Sequence, residues 1–178
     1  TEGSDAEIER LIALNLTATL QLTRALLPQL MAARQGWVVT LGSTFGTLGY
    51  PGQVGYCATK FALRGFSQAL RRELADTRVR VLHVSPRATR TAMNAPEVEA
   101  MNAALGNAMD SPARVAQAVR HAVERGRQEA QPGGPERLFV RLNALLPGVV
   151  DHALARQLPV IRRFIGTLDD ALYQQNKI

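Results

Sequence analysis

The chain carries one cysteine, Cys57, one tryptophan and three tyrosines among 178 residues. A single thiol excludes an internal disulfide framework. It fits a reducing compartment, and a cytoplasmic location is the expectation. No apolar run approaches the roughly 18 residues that a spanning helix needs. The opening Thr1-Glu2-Gly3-Ser4-Asp5 is polar and acidic, unlike a secretory signal. No Cys/His cluster stands at metal-ligand spacing, so no metal is expected. Glycines are present, but nowhere as the G-x-G-x-x-G that opens a helix under a pyrophosphate. Internal repeats and low-complexity tracts are absent too. Aromatic residues make up only 5% of the chain. That leaves few stacking platforms for bases, so the net charge of +6 reads as a solvated basic surface and no nucleic-acid partner is expected.

What is present is the composition of a soluble globular domain, 46% hydrophobic and 20% charged. Asp5 to about Arg34 reads as one long helix. Ser4 or Asp5 can cap it, and Glu7 and Glu9 favour its positive end. Ile8, Leu11, Ile12, Leu22, Leu26 and Leu30 recur at helical spacing. Pro28 should disturb that helix. Asn15 falls on the apolar stripe, where a buried amide needs hydrogen-bond partners.

Trp37-Val38-Val39-Thr40-Leu41 is a short apolar, β-branched run bounded by glycines, which predicts a buried parallel strand. A loop with Gly42, Gly46, Gly49, Gly52 and Gly55 leads to a helix from about Tyr56 to Ala75. Val79 to Val84 is the next strand, stopped by Pro86. Met93 to about Gly106 reads as a small-residue helical flap. Ser111-Pro112 starts a helix running to Gly126, and Leu138-Phe139-Val140 reads as a last strand. The order predicts βαβ units: a doubly wound, Rossmann-like parallel sheet in a three-layer α/β/α arrangement, filling residues 1–140. Residues 141–178 read as a basic helical extension packed on the same domain. Ligands of such sheets sit at the carboxyl ends of the strands. Here those ends are Leu41-Gly42-Ser43 and Val84-Ser85-Pro86.

The chemistry gathers at these ends. Tyr56 and Lys60 are four residues apart, on one helix face. A free tyrosine, with a pKa near ~10, is a poor base at neutral pH. A nearby ammonium and a helix N-terminus both favour the phenolate, so the pair can form a tuned acid/base. Ser43, at the strand exit 13 positions before Tyr56, can donate a hydrogen bond to a carbonyl oxygen in the crevice. It can equally cap the turn, as can Thr44.

Val38-Val39-Thr40-Leu41-Gly42-Ser43, followed by Gly55-Tyr56-Cys57-Ala58-Thr59-Lys60, closely resembles the active-site segment of the short-chain dehydrogenase/reductase family. Leu14-Asn15-Leu16-Thr17-Ala18 resembles that family's Asn-bearing helix, and Val84-Ser85-Pro86 with Thr91 its post-strand turn. The resemblance runs from about Asp5 to Met93. It implies that Tyr56 passes a proton to or from a substrate oxygen. Lys60 would lower the pKa of that tyrosine and bond the nicotinamide ribose, Ser43 would polarise the carbonyl, and Asn15 would hold a water linking Lys60 to solvent. Pro86, Thr89 and Thr91 would line the nicotinamide and pyrophosphate end of an NAD or NADP cofactor. It further implies a small carbonyl or alcohol substrate and a homodimer or homotetramer joined through the two long helices.

Two features depart from the family pattern. The opening strand and glycine-rich turn have no counterpart, so the doubly wound sheet is expected to be incomplete on its N-terminal side. Arg87 stands where the family usually has glycine. Both leave a rival reading, a non-catalytic binding or scaffold protein that keeps the fold. Cys57, His83, His121 and His152 read as packing or surface residues. The tail mixes apolar and basic residues, as in Ile161-Arg162-Arg163-Phe164-Ile165; packing on the domain is favoured over contact with a membrane surface.

Overall fold

The computed structural model describes residues 4–92, 94 and 96–164, apart from the side chains of Glu97 and Pro135. Met93 and the tail beyond Phe164 lie outside the described residues. Helix α1 (Asp5–Ile12) begins at Ser4, whose backbone N–H donates to the Glu7 carboxylate at 2.7 Å. One wider π turn, Ala13–Thr17, joins it to α2 (Ala18–Ala32). The expected single helix is therefore interrupted, but at Asn15; Pro28 lies inside α2 without ending it. Strand β1 (Gly36–Leu41) follows, then a 3-10 turn at Thr44–Gly46 and the long α3 (Val54–Glu73). Strand β2 (Val79–Val84) leads to α4 (Pro96–Ala104) and α5 (Pro112–Glu124), where the Ser111 hydroxyl accepts from Arg114 N–H. Strand β3 is short, Glu129–Ala130, and α6 (Pro135–Leu145) and α7 (Pro147–Phe164) follow it.

The three strands form a parallel sheet in the order β1-β2-β3, with Gly36 opposite Val79 and Leu41 opposite Val84. Val38, Val79 and Val81 pack on one face against Leu27 and Leu30 of α2 and Phe66 and Leu70 of α3. Leu82 and Val84 pack on the other against Val119, Ala122 and Val123 of α5. This is the α/β/α layering of a doubly wound fold. Strand β1 lies at the edge of this sheet, and Val39 and Leu41 there are 38% and 54% exposed.

Leu138-Phe139-Val140 is not the last strand. It belongs to α6, and the strand is Glu129–Ala130. The apolar run was too short to separate the two periods. Phe139 and Leu142, three apart, bury one side of α6 while Leu138 and Leu145 stay exposed. Helices α6 and α7 close a third apolar cluster beyond the strand ends, made of Leu48, Tyr50, Cys57, Met101, Val150, Leu154 and Ile161. Each such side chain, taken out of water, contributes roughly 1.5–3 kcal/mol. Val150, Leu154 and Ile161 of α7 are buried in this cluster. No helix among the described residues is long and apolar enough to cross a membrane.

Between β2 and α3 lies a buried polar chain. His83 is 3% exposed, and its Nδ1 stands 2.9 Å from the Thr40 hydroxyl and 3.3 Å from that of Ser67. Burial, with the cations Arg64, Lys60 and Arg71 adding to it against Glu129, pushes its pKa down to about 4. Below pH 6.5 the unfolded chain therefore takes up a proton that the folded chain refuses. Stability should be full above that pH and fall by about 3 kcal/mol as pH approaches 4. Urea unfolding across this window should show the slope, and His83→Gln should flatten it; equal slopes would refute the assignment.

Candidate active site

The Gly-rich connection after β1 bends the chain back over the N-terminal half of α3. Close approach makes this possible at two glycines. A Cβ on Gly42 would lie 2.5 Å from the His83 ring, and one on Gly46 would lie 2.8 Å from the Lys60 carbonyl oxygen. The loop is fastened at its start as well. Gly42 N–H donates to Val84 O at 2.7 Å, and Thr44 N–H donates to Pro86 O at 2.9 Å. The ends of β1 and β2 are therefore one unit, and Ser43 sits on it.

Tyr56 lies in the first turns of α3, facing that loop. The Ser43 side chain lies near enough to its hydroxyl to favour the phenolate, and Ser43 Oγ accepts from Phe45 N–H at 3.1 Å. Lys60 stands one turn on, its Nζ 5.4 Å from the centroid of the Tyr56 ring. The ammonium donates to the carbonyl of Leu41, the last residue of β1, at 3.2 Å. Serine, tyrosine and lysine thus converge on one crevice at the carboxyl end of the sheet. Phe45 adds an apolar wall, edge-on to Tyr56 at 6.4 Å between centroids and stacked on Tyr50 at 4.6 Å.

The protonation balance differs from the sequence expectation. Burial raises the Tyr56 pKa above its usual 10.0; the Ser43 hydrogen bond opposes this, and Cys57 adds to it. Burial also lowers the Lys60 pKa. Desolvation disfavours both charged forms and, at Tyr56, outweighs the opposing effect of Ser43. In this state the phenol keeps its proton.

Asn15 sits in the π turn, and its Nδ2 donates to Thr59 Oγ1 at 3.3 Å. It thus reaches the residue before Lys60. Thr59 is held in turn by Tyr56 O, at 2.9 Å. Pro86, Thr89 and Thr91 occupy the turn after β2. Thr89 Oγ1 donates to Arg87 O at 3.0 Å and Thr91 Oγ1 to Asn94 at 3.4 Å, so the turn is braced from within. No group of three or more His, Cys, Asp or Glu that could hold a metal occurs among the described residues. The sequence reading did not single out Asp110 and Glu136. Both carboxylates meet Arg87, and Arg87 together with Arg114 holds the Asp110 carboxyl below the usual carboxylate range. A conserved-looking motif could not have flagged them; only the unusual Arg87 offered a signal.

The tight packing of Gly46 gives a direct test. Gly46→Ala sets a methyl group against Lys60 backbone, which cannot swing aside. The loop must lift from α3, at a cost of about 1–3 kcal/mol, taking Ser43 away from Tyr56. Thermal unfolding and ultraviolet titration of the phenol should both shift. Gly49→Ala, where an added Cβ meets nothing within 4 Å, should leave both unchanged.

Comparison with known proteins agrees with this geometry. Residues 1–102 match the family model described as short chain dehydrogenase. Nodulation protein G of Rhizobium sp. (strain N33) is 38% identical over 106 residues, which cover 57% of this chain and 43% of that protein. The 3-oxoacyl-(acyl-carrier-protein) reductase FabG of Escherichia coli (strain K12) is 39% identical over 82 residues, 46% of this chain and 34% of that protein. The chain thus spans less than half the length of these relatives. Among solved structures, a short chain dehydrogenase from Burkholderia cenocepacia J2315 in complex with NADP superposes with a TM-score of 0.72 at 24% identity, covering 86% of this chain and 61% of that one. At that identity the likeness speaks to the fold. A 3-oxoacyl-(acyl-carrier protein) reductase from Brucella melitensis, 32% identical, superposes with a TM-score of 0.62 over 74% of this chain and 53% of that one. With its family model matched over more than half its length and its serine, tyrosine and lysine in one crevice, the chain belongs to the short chain dehydrogenase family.

Proposed function

We propose that the chain is the catalytic part of an oxidoreductase that moves a hydride between NAD or NADP and a carbonyl or alcohol. The observation that carries this reading is the Lys60 ammonium held over the Tyr56 ring, 5.4 Å from its centroid, and tied to Leu41 O beside Ser43 at the end of β1. The donor set suits a nicotinamide ribose. Lys60 has three N–H donors and spends one on Leu41 O, leaving the others for sugar hydroxyls. Tyr56, Lys60, Pro86, Thr89 and Thr91 would hold the cofactor, which when bound supplies the hydride chemistry. Relatives solved with NADP or NAD support the choice.

In the reducing direction Tyr56 Oη gives its proton to the substrate oxygen. Ser43 donates a hydrogen bond to that same oxygen as negative charge grows on it. The phenolate left behind is stabilised by Lys60. Asn15 spends its amide N–H on Thr59, so its carbonyl oxygen can hold water on the route by which the proton is replaced. Phe45 beside Tyr56 and the apolar cluster behind it favour a substrate with an apolar body next to the carbonyl. The 3-oxoacyl reductases among the relatives act in the same sense. Leu14, Leu22 and Phe61, between 45% and 69% exposed on the long helices, suit a homo-oligomer joined there.

Full-length protein assayed on a panel of ketones and aldehydes with NADH and NADPH tests the proposal. Tyr56→Phe should lower kcat by about 10²–10⁴-fold. Because the phenol starts protonated with a raised pKa, carbonyl reduction should hold through neutral pH and fall only in strong alkali. Alcohol oxidation, which needs the phenolate, should climb with pH over the same range. Parent and mutant turning over every substrate equally would sink the mechanism.

A further inference from the structure

The clue is a buried ionic cluster on the far side of the turn after β2. Arg87 is the first residue beyond Pro86, and its side chain is 14% exposed. One end of its guanidinium donates to Asp110 Oδ1 at 2.7 Å and the other to Glu136 Oε1 at 3.2 Å. The Asp110 side chain is 1% exposed, that of Glu136 25%. Each partner sits on a different segment. Asp110 stands just before α5 and is laced to the turn by backbone, with Asp110 N–H to Ala88 O at 2.8 Å and Arg90 N–H to Asp110 O at 2.9 Å. Glu136 lies in the first turn of α6. Gly133, at φ +113°, packs so close that a Cβ there would meet Glu136 Oε2 at 2.7 Å.

Helix α6 in turn packs against the loop after β1. Asn143 Nδ2 donates to Thr47 O at 3.2 Å, on the same loop that carries Ser43. Phe139 and Leu142 pack on the cluster that contains Tyr50, with Phe45 beside them. We infer that Arg87 is a positioning residue for the substrate site: by gripping Asp110 and Glu136 together, it sets the C-terminal cover α6 over the loop that bears Ser43 and Phe45. The argument is one of charge and geometry. The buried Asp110 and the partly buried Glu136 repel unless a cation lies between them, and the planar guanidinium bonds both at once in a fixed geometry. A glycine at position 87 would remove the ionic tie to α6 and leave, among the described residues, the Asn143 bond and the apolar packing of Phe139 and Leu142. A lysine would keep the charge but not the rigid fork, and would hold the two carboxylates less firmly.

The test uses the full-length protein and hydrogen–deuterium exchange. In Arg87→Ala, amide exchange across residues 135–145 should speed up about tenfold while α3, residues 54–73, keeps the parent rate. Glu136→Gln cuts one arm at a partly exposed site and should act in the same direction more weakly. The double variant should open α6 no further than Arg87→Ala, because both changes break one linkage. Arg87→Lys should fall between parent and alanine. The kinetic arm rests on the oxidoreductase reading: Glu136→Gln should raise KM for the carbonyl substrate several-fold with kcat held within about twofold. Unchanged exchange in α6 for both single variants overturns the inference, as does acceleration that spreads equally into α3. A parent without turnover counts against the oxidoreductase reading, while the exchange data still decide the role of Arg87.

Discussion

The Lys60 ammonium reaches from α3 to the Leu41 carbonyl at the end of β1, and much of the site follows from that bond. A lysine on four flexible carbons would otherwise sample the whole crevice. Tethered at its tip, the charge stands at a set distance over the Tyr56 ring. The same carbonyl belongs to the residue just before Gly42 and Ser43, so helix and loop are referred to a common point. The backbone contact of Gly46 with Lys60 and the bonds from Thr44 to Pro86 repeat this linkage at either side. A crevice built this way loses little entropy on binding, since its polar groups are already ordered.

Burial is the second constraint, and it works against charge. Tyr56 and Lys60 are both biased toward their neutral forms. A proton donor is what reduction of a carbonyl requires, and a neutral phenol supplies one at ordinary pH. His83 shows the same pressure without any place in the proposed chemistry. Its hydrogen bonds to Thr40 and Ser67 tie strand to helix behind the loop, so a titratable group there acts as structural glue.

Much of this was legible in the residues alone. Ser43, Tyr56 and Lys60 have side chains whose chemistry is rare enough that order and spacing carry meaning. The strands at 36–41 and 79–84 are short β-branched runs that helical periodicity cannot mimic. The misreadings have physical causes. Three apolar residues at 138–140 fit either period, and only packing against Tyr50 decided for helix. The direction of the Tyr56 pKa depends on desolvation, which a linear sequence does not display. Arg87 looked like a local change at a cofactor turn; its carboxylate partners lie 23 and 49 residues away. Asn15 stood out as an amide on an apolar stripe, yet nothing in its neighbours announced a wider turn.

That wider turn has a consequence for how the helix can evolve. A π turn accommodates one residue more than the α-helix around it. Each residue advances an α-helix by about 100°, and the wider turn takes up the extra one while the helices on either side keep their phase. Ile8 and Ile12 on α1 and Leu22 and Leu26 on α2 keep their faces on that account. Drawing the stretch into regular α-helix with every residue retained would swing α1 by about a quarter turn, whereas loss of one residue between 13 and 17 would close the turn and leave the two faces aligned. The segment can therefore shed a residue more readily than the regular helix around it, for a reason of phase.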